Sequence, residues 1–179
     1  LNLPFQKTYL RDAAGVYHVS DALYYLPRAV FVVIGMLMIA GMSNAVNITD
    51  GMDGLATGNT AIVALGLVVL TAISGDTIAQ TLLVPQITES SEMVIIAAAV
   101  AGACLGFLWW NCSPASVFMG DTGSLALGGL IAYLAVVTRQ ELLVLLMCGI
   151  FLLEIGSVVL QVGWFKYTRI RFGEGRRLF

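Results

Sequence analysis

Three carboxylates and several amides stand in two short polar segments, neither of which contains a Lys or Arg. The first reads Asn44-Ala45-Val46-Asn47-Ile48-Thr49-Asp50-Gly51-Met52-Asp53-Gly54. Asn47, Asp50 and Asp53 recur at i, i+3, so a helix or tight turn places them on one face. Gly51 and Gly54 leave room for a ligand to approach the backbone. The second reads Asn111-Cys112-Ser113-Pro114-Ala115-Ser116-Val117-Phe118-Met119-Gly120-Asp121-Thr122-Gly123-Ser124. Asp121 precedes small residues and a helix start that Thr122 or Ser124 is suited to cap. A carboxylate in a wet cleft, near amides and a helix N-terminus, can hold Mg²⁺ against phosphate, because magnesium takes one or two carboxylates plus substrate phosphate oxygens and water. Phe118, three residues before Asp121, either anchors at a membrane interface or stacks on a base. The plainer readings are solvated loop acids, Asp-Gly turns and an Asp on a helix dipole. Residue type and spacing alone leave both open.

The frame that must bring these segments together is apolar. Of 179 residues, 59% are hydrophobic and only 11% charged, far from the roughly 25% charged of soluble globular domains. A helix needs about 20 apolar residues to cross roughly 30 Å of hydrocarbon. Five runs approach that length, at 27–46, 58–73, 93–110, 124–137 and 142–164. The second and fourth are short and call for bilayer thinning or tilt. The expected architecture is an all-α, polytopic transmembrane bundle forming a single membrane domain over 1–179. Ahead of it, the Tyr-rich stretch with Tyr9, Tyr17, Tyr24 and Tyr25 forms a short strand pair or an aromatic belt.

Basic residues near span ends stay in the cytoplasm. Lys166, Arg169, Arg171, Arg176 and Arg177, five of the nine Lys and Arg residues, follow the last run. This places the C-terminal end and the loops 47–57 and 111–123 inside, with 1–26 outside in the periplasm. Lys7, Arg11, Arg28 and Arg139 are mild exceptions. A formal net charge of −2 excludes a nucleic-acid surface. Cys104, Cys112 and Cys148 are too few and too scattered for a disulfide framework or metal site, and read as small packing residues. No P-loop, HExxH or Ser/His/Asp arrangement is present.

NAVNITDGMDGLATG followed by VFMGDTGSLALGG resembles the polyprenyl-phosphate N-acetylhexosamine-1-phosphate transferases, and within them the muramoyl-pentapeptide branch. NCSPASVFMGD and WFKYTRIRFGEGRRLF extend the resemblance over nearly the whole chain. It implies an enzyme of the bacterial inner membrane that moves phospho-MurNAc-pentapeptide from UDP-MurNAc-pentapeptide to undecaprenyl phosphate, leaving UMP, with Mg²⁺ as cofactor. It implies Asp121 as the Mg²⁺ ligand, with Asp50 and Asn111 beside it in the catalytic set. Phe118 matches the aromatic that stacks on uracil, and Met52, Asp53 and Gly120 match positions lining the base. Asn47 and Gly51, like Asp50 and Asn111, match polar positions around the ribose and diphosphate, where nucleoside antibiotics also bind. Gln161 matches a position beside this pocket. A homodimer embedded in membrane lipid is implied too.

The family also carries an early Asp-Asp pair and a late His-rich motif, and this chain has neither; its one histidine is His18. The chain is therefore expected to be the middle-to-late portion of a longer transferase, inactive alone. Glu154, deep in the last run, is expected to pair with a neighbouring helix. Two alternatives remain: a polyprenyl-phosphate GlcNAc-1-phosphate transferase, and a secondary transporter with Asp50, Asp53 and Asp121 as ion ligands.

Overall fold

The computed structural model describes residues 9–12, 16–20, 27–82, 84–173, 175 and 177. Lys7, Tyr24, Tyr25 and Arg176 lie outside them. Strand β1 (Tyr9–Arg11) pairs antiparallel with β2 (Tyr17–Val19), setting Leu10 opposite His18. The rest is helical: α1 (Arg28–Thr49), α2 (Leu55–Gly75), α3 (Ile78–Thr81), α4 (Met93–Asn111), α5 (Gly120–Val137), α6 (Glu141–Met147) and α7 (Gly149–Phe172). Five of these, α1, α2, α4, α5 and α7, are long and apolar enough to cross a membrane. The fold is a polytopic all-α bundle.

Two expected boundaries move, for one reason. The runs expected at 58–73 and 124–137 are helices of 21 and 18 residues, so the 21-residue helix reaches a full membrane crossing at about 1.5 Å per residue. The added turns carry polar residues whose groups find partners within the fold. In the added turn of α2, Thr57 is bonded across to α4, and the Leu55 carbonyl accepts from Asn59 Nδ2 at 2.9 Å. Other buried hydroxyls turn back on their own helices, Thr49 to Ala45, Thr71 to Leu67 and Thr138 to Leu134 at 2.7–2.9 Å. Such bonding is how a polar side chain survives without water.

The run expected as one span over 142–164 is two helices. The Cys148 N–H closes α6 on the Val144 carbonyl at 2.8 Å, and α7 begins at Gly149. The break lets the Met147 side chain occupy the space that a side chain at Gly66 of α2 would fill, while α7 packs on α1. Apolar composition runs unbroken across the junction, so hydropathy cannot register it. Two further expectations are corrected. Cys112 is exposed, unlike the buried Cys104 and Cys148, because it follows the end of α4. Glu154 is half-buried on α7 and has no ion pair among the described residues, because α7 is the least covered of the five long helices.

Packing concentrates in two antiparallel pairs, α1 with α5 and α2 with α4. Met42, Val46, Leu67, Ile131, Leu134, Val144 and Phe151 form the core where they meet. Ala61, Ala64, Val100, Ala101 and Cys104 make a tight seam between α2 and α4. Small residues let helix backbones approach in lipid, where no hydrophobic force drives helices together. The closest approach is at Gly128 of α5. A Cβ there would fall on the Met42 carbonyl oxygen and 2.7 Å from Ser43 Cα. Ser43 Oγ donates to the Leu125 carbonyl at 2.8 Å beside it. At the other end of the pair, the Arg139 guanidinium lies 4.1 Å from the centre of the Phe31 ring. That contact gives a local role to one of the basic residues on the wrong side of the charge rule.

Gly128→Leu is expected to drive α5 off α1, lowering stability by about 1–3 kcal/mol or more, read as a fall in the melting midpoint in detergent. Gly129→Ala, with no atom within 4 Å of its added Cβ, is expected to leave the midpoint nearly unchanged.

Candidate functional site

Because α1 and α4 run toward one end of the bundle and α2 and α5 run away from it, the α1–α2 and α4–α5 connections share that end. Each is anchored by the helix pair that flanks it. In the last turn of α1, Asn47 Nδ2 donates to Asp121 Oδ1 at 3.0 Å and to Ser124 Oγ at 2.9 Å, both on the first turn of α5. Ser124 Oγ in turn points at the Gly120 carbonyl, 3.1 Å away. Ser124 therefore bonds back into its own helix and receives Asn47, and it does not cap α5. Gly120, at φ +68°, supplies the left-handed turn into α5 that a side-chain-bearing residue adopts only at a cost. Asp121 is exposed in the first turn, where the helix dipole favours its negative charge.

The second anchor is Asn111, the last residue of α4, which is only 2% exposed. Its Oδ1 accepts from Thr57 Oγ1 at 2.8 Å and from the Gly54 N–H at 3.2 Å, and its Nδ2 donates to the Val117 carbonyl at 3.0 Å. Gly54 sits at φ +72° to present that N–H. Asp53 completes the bracket, its Oδ2 accepting from the Ala115 N–H at 3.0 Å. The Trp110 carbonyl closes the second loop, accepting from the backbone N–H of Ser116 at 2.9 Å and of Val117 at 3.3 Å.

The structure thus joins the two sequence segments but redistributes the roles within them. Asn47 and Asp50 both turn toward Asp121, as the i, i+3 spacing predicts, but Asp53 does not share their face. Helix α1 ends at Thr49, Asn47 turns toward α5, and Asp53 turns to the α4–α5 loop. Asn111, expected beside the reacting groups, has both ends of its amide bonded within the protein and ties the two connections together. Asp50, Gly51, Met52, Phe118, Gly120 and Asp121 remain at least partly open, with Met52 70% and Phe118 72% exposed. Gln161 is half-buried on α7 and has no hydrogen bond to either loop among the described residues. Thr57 was not singled out from the sequence. Its signal was a hydroxyl three residues beyond Gly54, at the start of an apolar helix.

Burial raises the Asp50 carboxyl above its ordinary value of 3.8, and the Asp121 charge facing it raises it further. No Lys or Arg lies in either connection to offset this. Among the described residues no three His, Cys, Asp or Glu side chains converge as a metal site, so the end of the bundle offers an acidic pair rather than a closed metal cage.

Residues 7–139 match glycosyl transferase family 4. Over 179 residues the chain is 48% identical to a phospho-N-acetylmuramoyl-pentapeptide-transferase of Flavobacterium johnsoniae, covering 99% of this chain and 44% of that protein. Against the Parabacteroides distasonis protein of the same name, identity is 50% over 181 residues, covering 99% and 43%. Against the one from Flavobacterium psychrophilum it is 52% over 151 residues, covering 84% and 37%. The chain therefore spans less than half the length of these relatives. With the family matching across the strand pair, both polar connections and four of the five long helices, the chain belongs to glycosyl transferase family 4.

Proposed function

We propose that the protein this chain represents transfers phospho-MurNAc-pentapeptide from UDP-MurNAc-pentapeptide to undecaprenyl phosphate, at the cytoplasmic face of a bacterial inner membrane. The products are UMP and the lipid-linked sugar. The observation that carries this reading is the uncompensated Asp50–Asp121 pair at one end of a membrane bundle, in a sequence about half identical to transferases of that name. A soluble nucleotide and a lipid phosphate can meet only where water and membrane adjoin. Two connections at a common bundle end provide such a place.

The residues fit a magnesium ion. Two carboxylates that repel each other without a basic neighbour are relieved by a divalent cation, and one or two carboxylates are the protein's usual share of a Mg²⁺ shell. Asp121 would hold it, with Asp50 facing it. When bound, Mg²⁺ neutralises phosphate charge and aligns donor with acceptor. Asn47 fixes the rotamer of Asp121 through the 3.0 Å bond. Asn111 and Asp53 hold the two connections in register, which sets where Phe118 stands relative to Asp121. Exposed Phe118 and Met52 offer apolar faces to a uracil ring, and Gly51 and Gly120 carry no side chain to obstruct it.

In the complete protein, Asp121→Asn is expected to lower Mg²⁺-dependent formation of the lipid-linked product by about a hundredfold or more, with the melting midpoint retained. Near-normal turnover would remove Asp121 from the reaction, and preference for UDP-GlcNAc as donor would move the protein to another branch of the family. Asn111→Leu strands the Gly54 N–H, the Thr57 hydroxyl and the Val117 carbonyl, each at about 1–3 kcal/mol when buried. A lower melting midpoint together with a raised donor KM is the expected result. Asp50 gives a pH signature. Its raised pKa means that ionised Asp50 destabilises the fold above that pKa, and that the cost disappears as pH falls toward 3.8. Asp50→Asn should therefore raise the metal-free melting midpoint slightly at pH 7, with the gain vanishing near pH 4, while Mg²⁺-dependent turnover falls. Equal midpoints at pH 7 would contradict the assigned repulsion.

A further inference from the structure

Most side chains of the last part of α7 are exposed among the described residues. From Trp164 to Phe172, about two and a half turns, Thr168 alone is buried. Trp164, Phe165 and Tyr167 are 40–49% exposed, Phe172 is 64% and Ile170 is 87% exposed. Interleaved with them, Lys166, Arg169 and Arg171 are all exposed, as is Arg177 beyond the helix. At helical spacing, Trp164, Phe165, Thr168 and Phe172 fall on one side, Lys166 and Ile170 lie roughly opposite, and Arg169 and Arg171 flank the aromatic side. Arg171 Nη1 donates to Tyr167 Oη at 3.1 Å, and the Tyr167 and Trp164 rings lie 6.1 Å apart. No carboxylate pairs with any of these four cations among the described residues. Over 164–177 the sequence holds five basic residues against one acidic residue, Glu174.

We propose that this end of α7 binds anionic phospholipid headgroups, with its aromatic and aliphatic side chains at headgroup depth and its cations on the lipid phosphates. Two observations favour a membrane surface over a soluble anion. The helix is continuous with a membrane span, so its end emerges at headgroup level without further rearrangement. Among the described residues, side chains as apolar as Ile170 and Phe172 also stand exposed beside the cations. Water disfavours that arrangement, whereas the interface accepts it. A cationic cluster next to a span attracts anionic lipid at about 1 kcal/mol per Lys or Arg near the surface. At the opposite end, the 74–92 connection holds Asp76, Glu89 and Glu92 and no Lys or Arg, and Arg139 is held over the Phe31 ring. The proposal does not rest on the transferase reading.

The test reconstitutes the complete protein in vesicles of equimolar phosphatidylcholine and phosphatidylglycerol, then extracts it gently and measures the two lipids retained by mass spectrometry. Wild type is expected to retain phosphatidylglycerol preferentially, with the preference shrinking as sodium chloride is raised. Each of Lys166→Gln, Arg169→Gln and Arg171→Gln should reduce the preference by roughly fivefold, and the triple substitution should abolish it. The charge-preserving set Lys166→Arg, Arg169→Lys and Arg171→Lys should retain it. An unchanged lipid ratio in the triple variant, with an unaltered melting midpoint, overturns the proposal. Displacement of the lipid by inorganic phosphate more strongly than by chloride at equal ionic strength also overturns it, in favour of a soluble anion. Product formation measured on the same samples reports separately on the transferase reading.

Discussion

The approach of α5 to α1 at Gly128 is the constraint on which the site depends. Hydrocarbon gives helices no hydrophobic reason to associate, so contact rests on close packing and on hydrogen bonds worth on average about 0.6 kcal/mol each. Gly128 removes the side chain that would hold the backbones apart. Once they touch, Ser43 reaches the Leu125 carbonyl, and one turn further along α1 Asn47 reaches Ser124 and Asp121. The bond that orients Asp121 is thus the last of a short series that begins at a glycine with no chemistry of its own. Moving α5 outward by an ångström would break the series from its weakest member.

A different device holds the other half of the site. Asn111 sits where α4 ends and fastens three groups from both connections with one amide. Asp53 adds a fourth tie through the Ala115 N–H. These contacts use up polar groups that, in an unfolded loop, would be free for a ligand. What remains open is correspondingly selective: two facing carboxylates, two glycines and two large exposed side chains. The electrostatic cost of Asp50 beside Asp121 persists because the bracket and the α1–α5 contact prevent the connections from spreading apart.

Much of this was legible in the sequence. Five apolar runs and two acid-bearing, cation-free segments sufficed to place both segments at one end of a bundle, because parity alone fixes the side on which alternate loops emerge. The failures have physical causes. Hydropathy lost the first turns of α2 and α5 because Thr57, Asp121 and Thr122 are polar, yet Thr57 and Asp121 are bonded within the fold. It missed the break at Cys148 and Gly149 because a kink inside apolar sequence changes no residue type. Spacing placed Asn47 and Asp50 together correctly but Asp53 with them wrongly, because i, i+3 presumes that the helix continues, and α1 stops at Thr49. Nor does a sequence show whether an amide such as Asn111 faces a ligand or its own backbone, since that depends on where Gly54 and Val117 come to rest.

The same parity returns the end of α7 to the end of the bundle that carries the acidic connections. One end of the molecule then holds charges of both signs, sorted by segment: carboxylates in the α1–α2 and α4–α5 connections, and Lys166, Arg169, Arg171 and Arg177 on and beyond α7. An acidic face lying alone against a membrane that contains anionic lipid would be pushed away from it, over a range of about 8–10 Å at ordinary ionic strength. Cations on α7 counter that repulsion without entering the connections, where they would cancel the Asp50–Asp121 pair. Keeping the two signs on separate elements lets the acidic pair stay at the water-facing rim while the bundle end remains seated on the lipid. A single mixed loop would have neutralised the Asp50–Asp121 pair.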